Sequence, residues 1–200
     1  MRGPARRERI LAAAMGVFAE NGYDSTSMGQ IAAASGVSRP VVYDHFPSKR
    51  ELHLTLLERE ATQLTENVGR VMAPGGSPRE RYARAIEAFF AFVEERPYAW
   101  RMLFRESAGD AETVARHRAI QSEQHLAVAR AFAADDPGEL DPADERRLEM
   151  LAELWGTAVN GLARWWYERP DVPRAEVVAA AMDALWFGVE RLLAGERSER

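Results

Sequence analysis

From Ile10 to Leu193, apolar side chains recur three and four positions apart and almost never two. That period draws one apolar stripe along an α-helix, whereas a strand would need alternation. Ala, Leu, Glu and Arg, all good helix formers, dominate the chain. The fold class predicted is therefore all-α, and start and stop signals place its elements. A first helix runs from about Arg6 to Asn21 and stops at Gly22. A second follows Thr26 or Ser27 and ends at Gly36, and a third runs from Ser38 to near Phe46. Ser48 and Glu51 form a capping box for a fourth helix reaching about Val71. Ala73-Pro74-Gly75-Gly76-Ser77-Pro78 reads as a linker. Further helices are expected near 79–95, 97–107, 111–134, 143–168 and 173–194. The acidic loop Asp135–Asp144 and the turn Pro170-Asp171-Val172-Pro173 divide the last of them.

Two hundred residues, 46% hydrophobic and 28% charged, suit a small head joined to a larger body with a real core. The absence of cysteine excludes disulfides, thiolate metal sites and a thiol nucleophile. The net charge of −5 opposes wholesale nucleic-acid binding, but the charge is uneven. Residues 1–55 hold seven basic and five acidic side chains, the remainder 19 and 26. A slightly basic head on an acidic body fits a small DNA-contacting surface. Arg6, Arg7 and Arg9 ahead of Ile10–Ala19 imitate a signal peptide. Glu8 interrupts that run, however, and Glu20-Asn21-Gly22 is a helix stop rather than a cleavage site. No apolar run approaches the length of a membrane span. The expectation is a cytoplasmic protein without a membrane partner.

The informative segment is Ser27–Phe46. Two helices of under three turns must pack across a tight turn to bury anything. Ile31 and the small Ala32 face inward on the first, and Gly36 supplies the left-handed turn position. Val37 plugs the inner corner, and Val42 and Phe46 continue the buried stripe four residues apart. Ser38 is expected to cap the second helix, with Arg39 and Pro40 in its first turn, where proline is tolerated. That leaves the start of the second helix as an exposed tip able to enter a major groove. Arg39 is the natural base reader, because its fork matches guanine O6 and N7. Tyr43 and His45 follow as donors to phosphate. Lys49, the sole lysine beside 25 arginines, suits a phosphate clamp and a solvated position equally.

Residues 9–57 resemble the DNA-binding head of the TetR family. The resemblance is carried by Phe18-Ala-Glu-Asn-Gly-Tyr23, Thr26, Ile31-Ala32, Gly36-Val37-Ser38, Val42-Tyr43-x-His45-Phe46-x-Ser48-Lys49 and Leu52. It covers about a quarter of the chain. It implies a helix-turn-helix at 27–46 within a head spanning 1–55, and an effector-binding, dimerising domain over 56–200. It also implies that Thr26, Tyr43, His45 and Lys49 contact phosphate, and that Ser38, Arg39 and Pro40 face the groove. Val41 departs from the small or hydroxylated residue usual there, which bears on the bases read. The partners implied are a palindromic double-stranded DNA operator, a small-molecule effector and a second copy of the chain; the role implied is that of a repressor.

In the body, Tyr82, Ile86, Phe89, Phe90, Val93, Trp100, Leu103 and Phe104 recur at helical spacing. Core packing explains most such stripes, yet pockets between helices are lined this way too. Phe89, Trp100, Phe104 and Trp155 are the candidate lining of a site for a mostly apolar effector. Trp155, Val159, Leu162 and Trp166 form one late stripe, and Met182, Leu185, Trp186 and Val189 another. Both are wide enough for a four-helix interface between two subunits. An enzyme is the main rival. However, no Gly-rich phosphate loop, nucleophile elbow or metalloprotease motif is present. His45 and His53, like His117 and His125, lie eight residues apart, too far along a helix to share a metal. His117 and His125 read as solvated or pocket-edge residues, and neither a metal nor another cofactor is expected. A helical adaptor binding only protein is the second rival, opposed by Arg39 at the tip of a basic head.

Overall fold

One side-chain cap and two glycines set the course of the first three helices. In the computed structural model, which describes residues 3–71, 75–104, 111–133 and 142–193, α1 spans Gly3–Ser25. It is broken at Gly22, whose φ of 75° reverses the chain. Ser27 then caps α2 (Met28–Ser35): its hydroxyl accepts from the Gln30 amide, and the Gln30 side chain reaches back to the Ser27 amide. Gly36 ends α2 in the left-handed region at φ 63°, as its place in the turn requires. α3 spans Arg39–His45 and α4 Lys49–Val71. Beyond them lie α5 (Pro78–Glu95), α6 (Pro97–Phe104), α7 (Ala111–Ala133), α8 (Pro142–Tyr167) and α9 (Arg174–Leu193). No strand occurs among the described residues, and none of their helices is long and apolar enough to cross a membrane. The expected loop Asp135–Asp144 lies largely outside the described residues; its end is already helical from Pro142.

The chain divides into two compact units. The first comprises Met1–Ala61 and also Arg101–Ile120, a segment that the residue pattern alone grouped with the body. Its core joins Ile10, Leu11, Ala14 and Phe18 of α1 to Ile31 and Ala32 of α2, with Val42, Phe46, Leu52, Leu56 and Leu57, all buried. Each large side chain there contributes about 1.5–3 kcal/mol relative to exposure.

The second unit comprises Thr62–Trp100 and Gln121–Arg200. α5 packs against α9 and α8, through Phe90 edge-on to Trp166 at 5.7 Å and Tyr82 against Trp186 at 5.8 Å. Part of the expected dimer face is thereby taken up within the protomer. Val159, Trp166, Met182 and Trp186 are buried inside one protomer and leave little surface for another. Trp155, Leu162 and Leu185 are half-buried, and the Val189 side chain lies outside the described residues. Among the described residues of this unit, the large apolar side chains left in solvent are Met150, Leu154, Trp165 and Tyr167 on α8 and Phe187 on α9.

Candidate nucleic-acid interface

The helix-turn-helix is built as its residue types require. Val42 and Phe46 are fully buried, so the opposite side of α3 faces out, with Ser38, Arg39, Pro40 and Tyr43 exposed and His45 half-exposed. Ser38 stands at the N-cap position, but its side chain makes no capping bond, contrary to expectation. Its hydroxyl stays on the exposed tip beside the orphan amides of the first turn. The Arg39 stem runs along the backbone of α2: a Cβ built on Gly29 would lie 3.7 Å from both its Cδ and its Nε. At the other end of α3, the Arg7 guanidinium lies 4.8 Å over the Phe46 ring. α3 thus presents a hydroxyl, a guanidinium and a phenol from a rigid seat, which is the chemistry of groove and phosphate contact.

Two residues expected to touch phosphate are turned inward instead. Thr26 is 3% exposed, and its hydroxyl donates to the Gly22 carbonyl at 2.7 Å. Lys49 is half-buried, with its ammonium directed at backbone carbonyls of the α1–α2 turn. As they stand, neither side chain belongs to the exposed tip.

Behind the tip lies a buried group that the sequence reading missed. His53, on α4, is 2% exposed and packs between Phe18 (5.2 Å, edge-on) and Tyr23 (4.7 Å). Burial first, and the positive potential of His117 and Lys49 second, push its pKa down to about 4. His117 is buried too, its Nε2 against the Leu103 carbonyl, which corrects its reading as a solvated residue. Around this pair, α4 is tied to α7 by Arg50 on Glu112 through two bonds of 2.7 and 2.9 Å, and by Arg116 on Glu58 at 2.8 Å. These exposed ion pairs contribute about 0–1 kcal/mol each.

The structure does not gather the four candidate effector residues into one lining. Phe104 is in the first unit and the others in the second. Trp155 faces α9, 3.9 Å from where a Cβ on Gly188 would stand. Phe89 packs edge-on against Phe90 at 5.4 Å. Trp100 is fully buried; its indole donates to Asn160 Oδ1 at 3.3 Å, and Tyr167 lies 5.5 Å from its ring. Asn160 in turn donates to the Gly156 carbonyl at 2.9 Å and lies 3.5 Å from His125 Nε2. His125, whose pKa is lowered by burial against the opposing pull of Glu153 at 3.7 Å, lies flat on Gly156. It is a packed residue rather than a solvated one. A Cβ on Gly156 would overlap that ring. Gly156→Val is therefore expected to cost about 1–3 kcal/mol of stability in the second unit. Tryptophan-monitored unfolding reads it, since all five tryptophans lie in that unit; an unchanged transition would mean that the ring is not fixed there. The only sequence cue to this network was an asparagine and a histidine at inward-facing helical positions.

Residues 10–56 match the model of bacterial regulatory proteins of the tetR family, and residues 78–188 that of the tetracyclin repressor-like C-terminal domain. The chain is 30% identical over 190 residues to the HTH-type transcriptional activator FasR of Mycolicibacterium smegmatis, covering 94% of this chain and 84% of that one. A TetR-like transcriptional regulator from Rhodococcus sp. RHA1 superposes with a TM-score of 0.68 at 26% identity, over 98% of this chain and 100% of the other. FadR of Bacillus subtilis, solved in complex with stearoyl-CoA, shares the fold with a TM-score of 0.69 at 17% identity, over 89% and 96%. With a recognition helix presented as described and both halves matched, the chain belongs to the TetR family of DNA-binding transcriptional regulators, which are not enzymes.

Proposed function

We propose that this regulator binds a palindromic operator as a homodimer and is released from it by a small, mostly apolar effector. Residues 1–55 read the DNA, and residues 56–200 bind the effector and dimerise. Where the operator overlaps a promoter, such a protein is a cytoplasmic repressor. An operator placed upstream would reverse the sign, and FasR is named an activator. The observation carrying the DNA-reading part is the exposed row Ser38, Arg39, Pro40 and Tyr43 on a helix whose other side is fully buried. Support for an apolar effector comes from the interior of the second unit, where Phe90, Trp100 and Trp166 surround few polar groups. FadR was solved with a long-chain acyl thioester, which makes acyl-CoA of graded chain length the first panel to try. Selection of bound sequences from a random duplex pool, followed by release with that panel, tests the reading. Release only by sugars or nucleotides would overturn the effector class, and selection of no sequence would overturn operator binding.

Within that reading, the DNA contacts are Ser38, Arg39 and Pro40 at the groove and Tyr43 and His45 at the backbone. Arg39→Ala is expected to weaken operator binding by about 1–3 kcal/mol and to relax preference at one base position per half-site. Competition between operator and singly substituted duplexes measures both effects. Retained preference at every position would move base reading away from Arg39.

A further inference from the structure

The first turns of α1 hold a cation that the DNA contacts assigned so far do not use. Arg7 lies three, four and seven residues before the buried Ile10, Leu11 and Ala14, and so on their side of the helix. That side brings it to the end of α3, where its guanidinium stands 4.8 Å over the ring of Phe46. Phe46 is 1% exposed and directly follows His45, so Arg7 covers the core at the C-terminal end of the recognition helix. Arg7 is itself half-exposed. Among the described residues, no carboxylate or carbonyl takes its N–H donors. Nearby charges are engaged differently: Glu8 pairs with Arg59, while Arg50 and Arg116 of the same unit pair with Glu112 and Glu58.

We propose that Arg7 binds a phosphate of the operator backbone, beside the contacts made by Tyr43 and His45. The end of α3 needs such a charge. Its last carbonyls carry negative partial charge, and Asp44, exposed in the same turn, adds a carboxylate. Both oppose a phosphate drawn to the phenol and the imidazole, and Arg7, arriving from another helix, is placed to offset them. A guanidinium held over a ring keeps its N–H groups for a second partner, and phosphate is an anion that its fork fits. The ring also fixes where the charge stands, so less side-chain freedom is lost on binding. Covering Phe46 would need only the alkyl stem and not the charge. Because phosphate carries no sequence information, the contact adds affinity and register rather than base preference.

This contact rests on the operator-binding reading above, and its test separates the two. Arg7→Met keeps an apolar cover on Phe46 and removes the charge. Its slope of log affinity against log salt should be flatter than that of the wild type by about two units per dimer. Operator and scrambled duplex should both bind more weakly by the same factor, about ten-fold or more. Arg7→Lys keeps the charge and should keep the slope. Arg118→Met removes an exposed cation of α7 in the same unit and should leave the slope alone. A neutral methylphosphonate, scanned along the operator backbone, should at one position per half-site weaken the wild type and not Arg7→Met. A wild-type slope in Arg7→Met would reduce Arg7 to a cover for Phe46, and an altered base preference at constant slope would make it a base reader; either result overturns the phosphate contact. Circular dichroism checks that Arg7→Met is folded; if it is not, the same measurements on Arg7→Gln decide. Should the wild type bind no duplex, the operator reading fails and the contact falls with it. Operator bound by Arg7→Met with an unchanged slope sinks the contact alone.

Discussion

Phe187→Asp is expected to yield monomers that keep their helical content, and to weaken operator binding by about a hundred-fold or more through the loss of linked half-sites. Phe187 is 71% exposed on α9, with the exposed small residues Ala184 about one turn and Ala180 about two turns before it on the same side. α8 carries a stripe of its own, Met150 (62% exposed), Leu154 (63%), Ala158 and Trp165, on the side opposite its buried Ala152, Val159 and Ala163. Soluble monomers seldom leave such continuous stripes in water, and we propose on that ground that two copies associate through these helices. A carboxylate forced into an apolar interface must be desolvated or must prevent closure, and either costs several kcal/mol. Leu154→Asp should act alike. Trp186→Asp is the contrasting variant: its indole packs on Tyr82 inside the protomer, so the acid there should unfold the second unit rather than split a dimer. Sedimentation and circular dichroism on the three proteins decide the matter. If Phe187→Asp and Leu154→Asp both sediment as wild-type dimers, the interface lies elsewhere.

That contrast marks where the sequence was legible and where it was not. The reading tip was legible because its determinants are local. Ser27 as one of two cap candidates, Gly36 at the turn, and Val42 with Phe46 each act within four residues, and each took its expected place. α8 was readable as a helix but not as an oriented one. It bears two apolar stripes of the same period, Trp155-Val159-Leu162-Trp166 and Met150-Leu154-Ala158-Trp165. Periodicity cannot tell which faces its own core and which a partner. Lys49 and Thr26 misled for a different reason. A polar side chain in a head signals surface, but the Lys49 ammonium meets carbonyls 23 to 26 residues back in the chain, and the Thr26 hydroxyl meets Gly22 only because the chain reverses there. The candidate effector lining was chosen on aromatic character alone, which does not fix location: Phe104 falls in the first unit, Phe89, Trp100 and Trp155 in the second. His53 was invisible for the plainest reason. Its spacing on α4 is that of any core residue, and only burial distinguishes it from a solvated histidine.

His53 carries the second large effect, a loss of stability in the first unit as pH falls. Its folded-state pKa is pushed down to about 4 from an ordinary 6.5, by burial and then by His117 and Lys49. Between those values the unfolded chain binds a proton that the folded one refuses, so unfolding gains with each step of acidification. The contribution is complete above about pH 6.5 and declines as pH drops toward 4. Over that interval the loss amounts to about 3 kcal/mol, at 1.36 kcal/mol per pKa unit. No carboxylate offsets it among the groups that shift this histidine, and Phe18 and Tyr23 supply only ring faces. His53→Phe keeps an aromatic ring in the same seat and removes the proton, so its stability should fall far less across the window. Carboxylates protonate in part of the same range and affect both proteins. The quantity to follow is therefore the difference between wild type and variant in hydrogen exchange of the α1 and α4 core amides, measured at several pH values and corrected for intrinsic exchange. That difference should change by about 3 kcal/mol between pH 7 and pH 4. A difference constant with pH would mean that His53 takes up its proton in the folded head as easily as in water, and that the Phe18–Tyr23 seat is open to solvent.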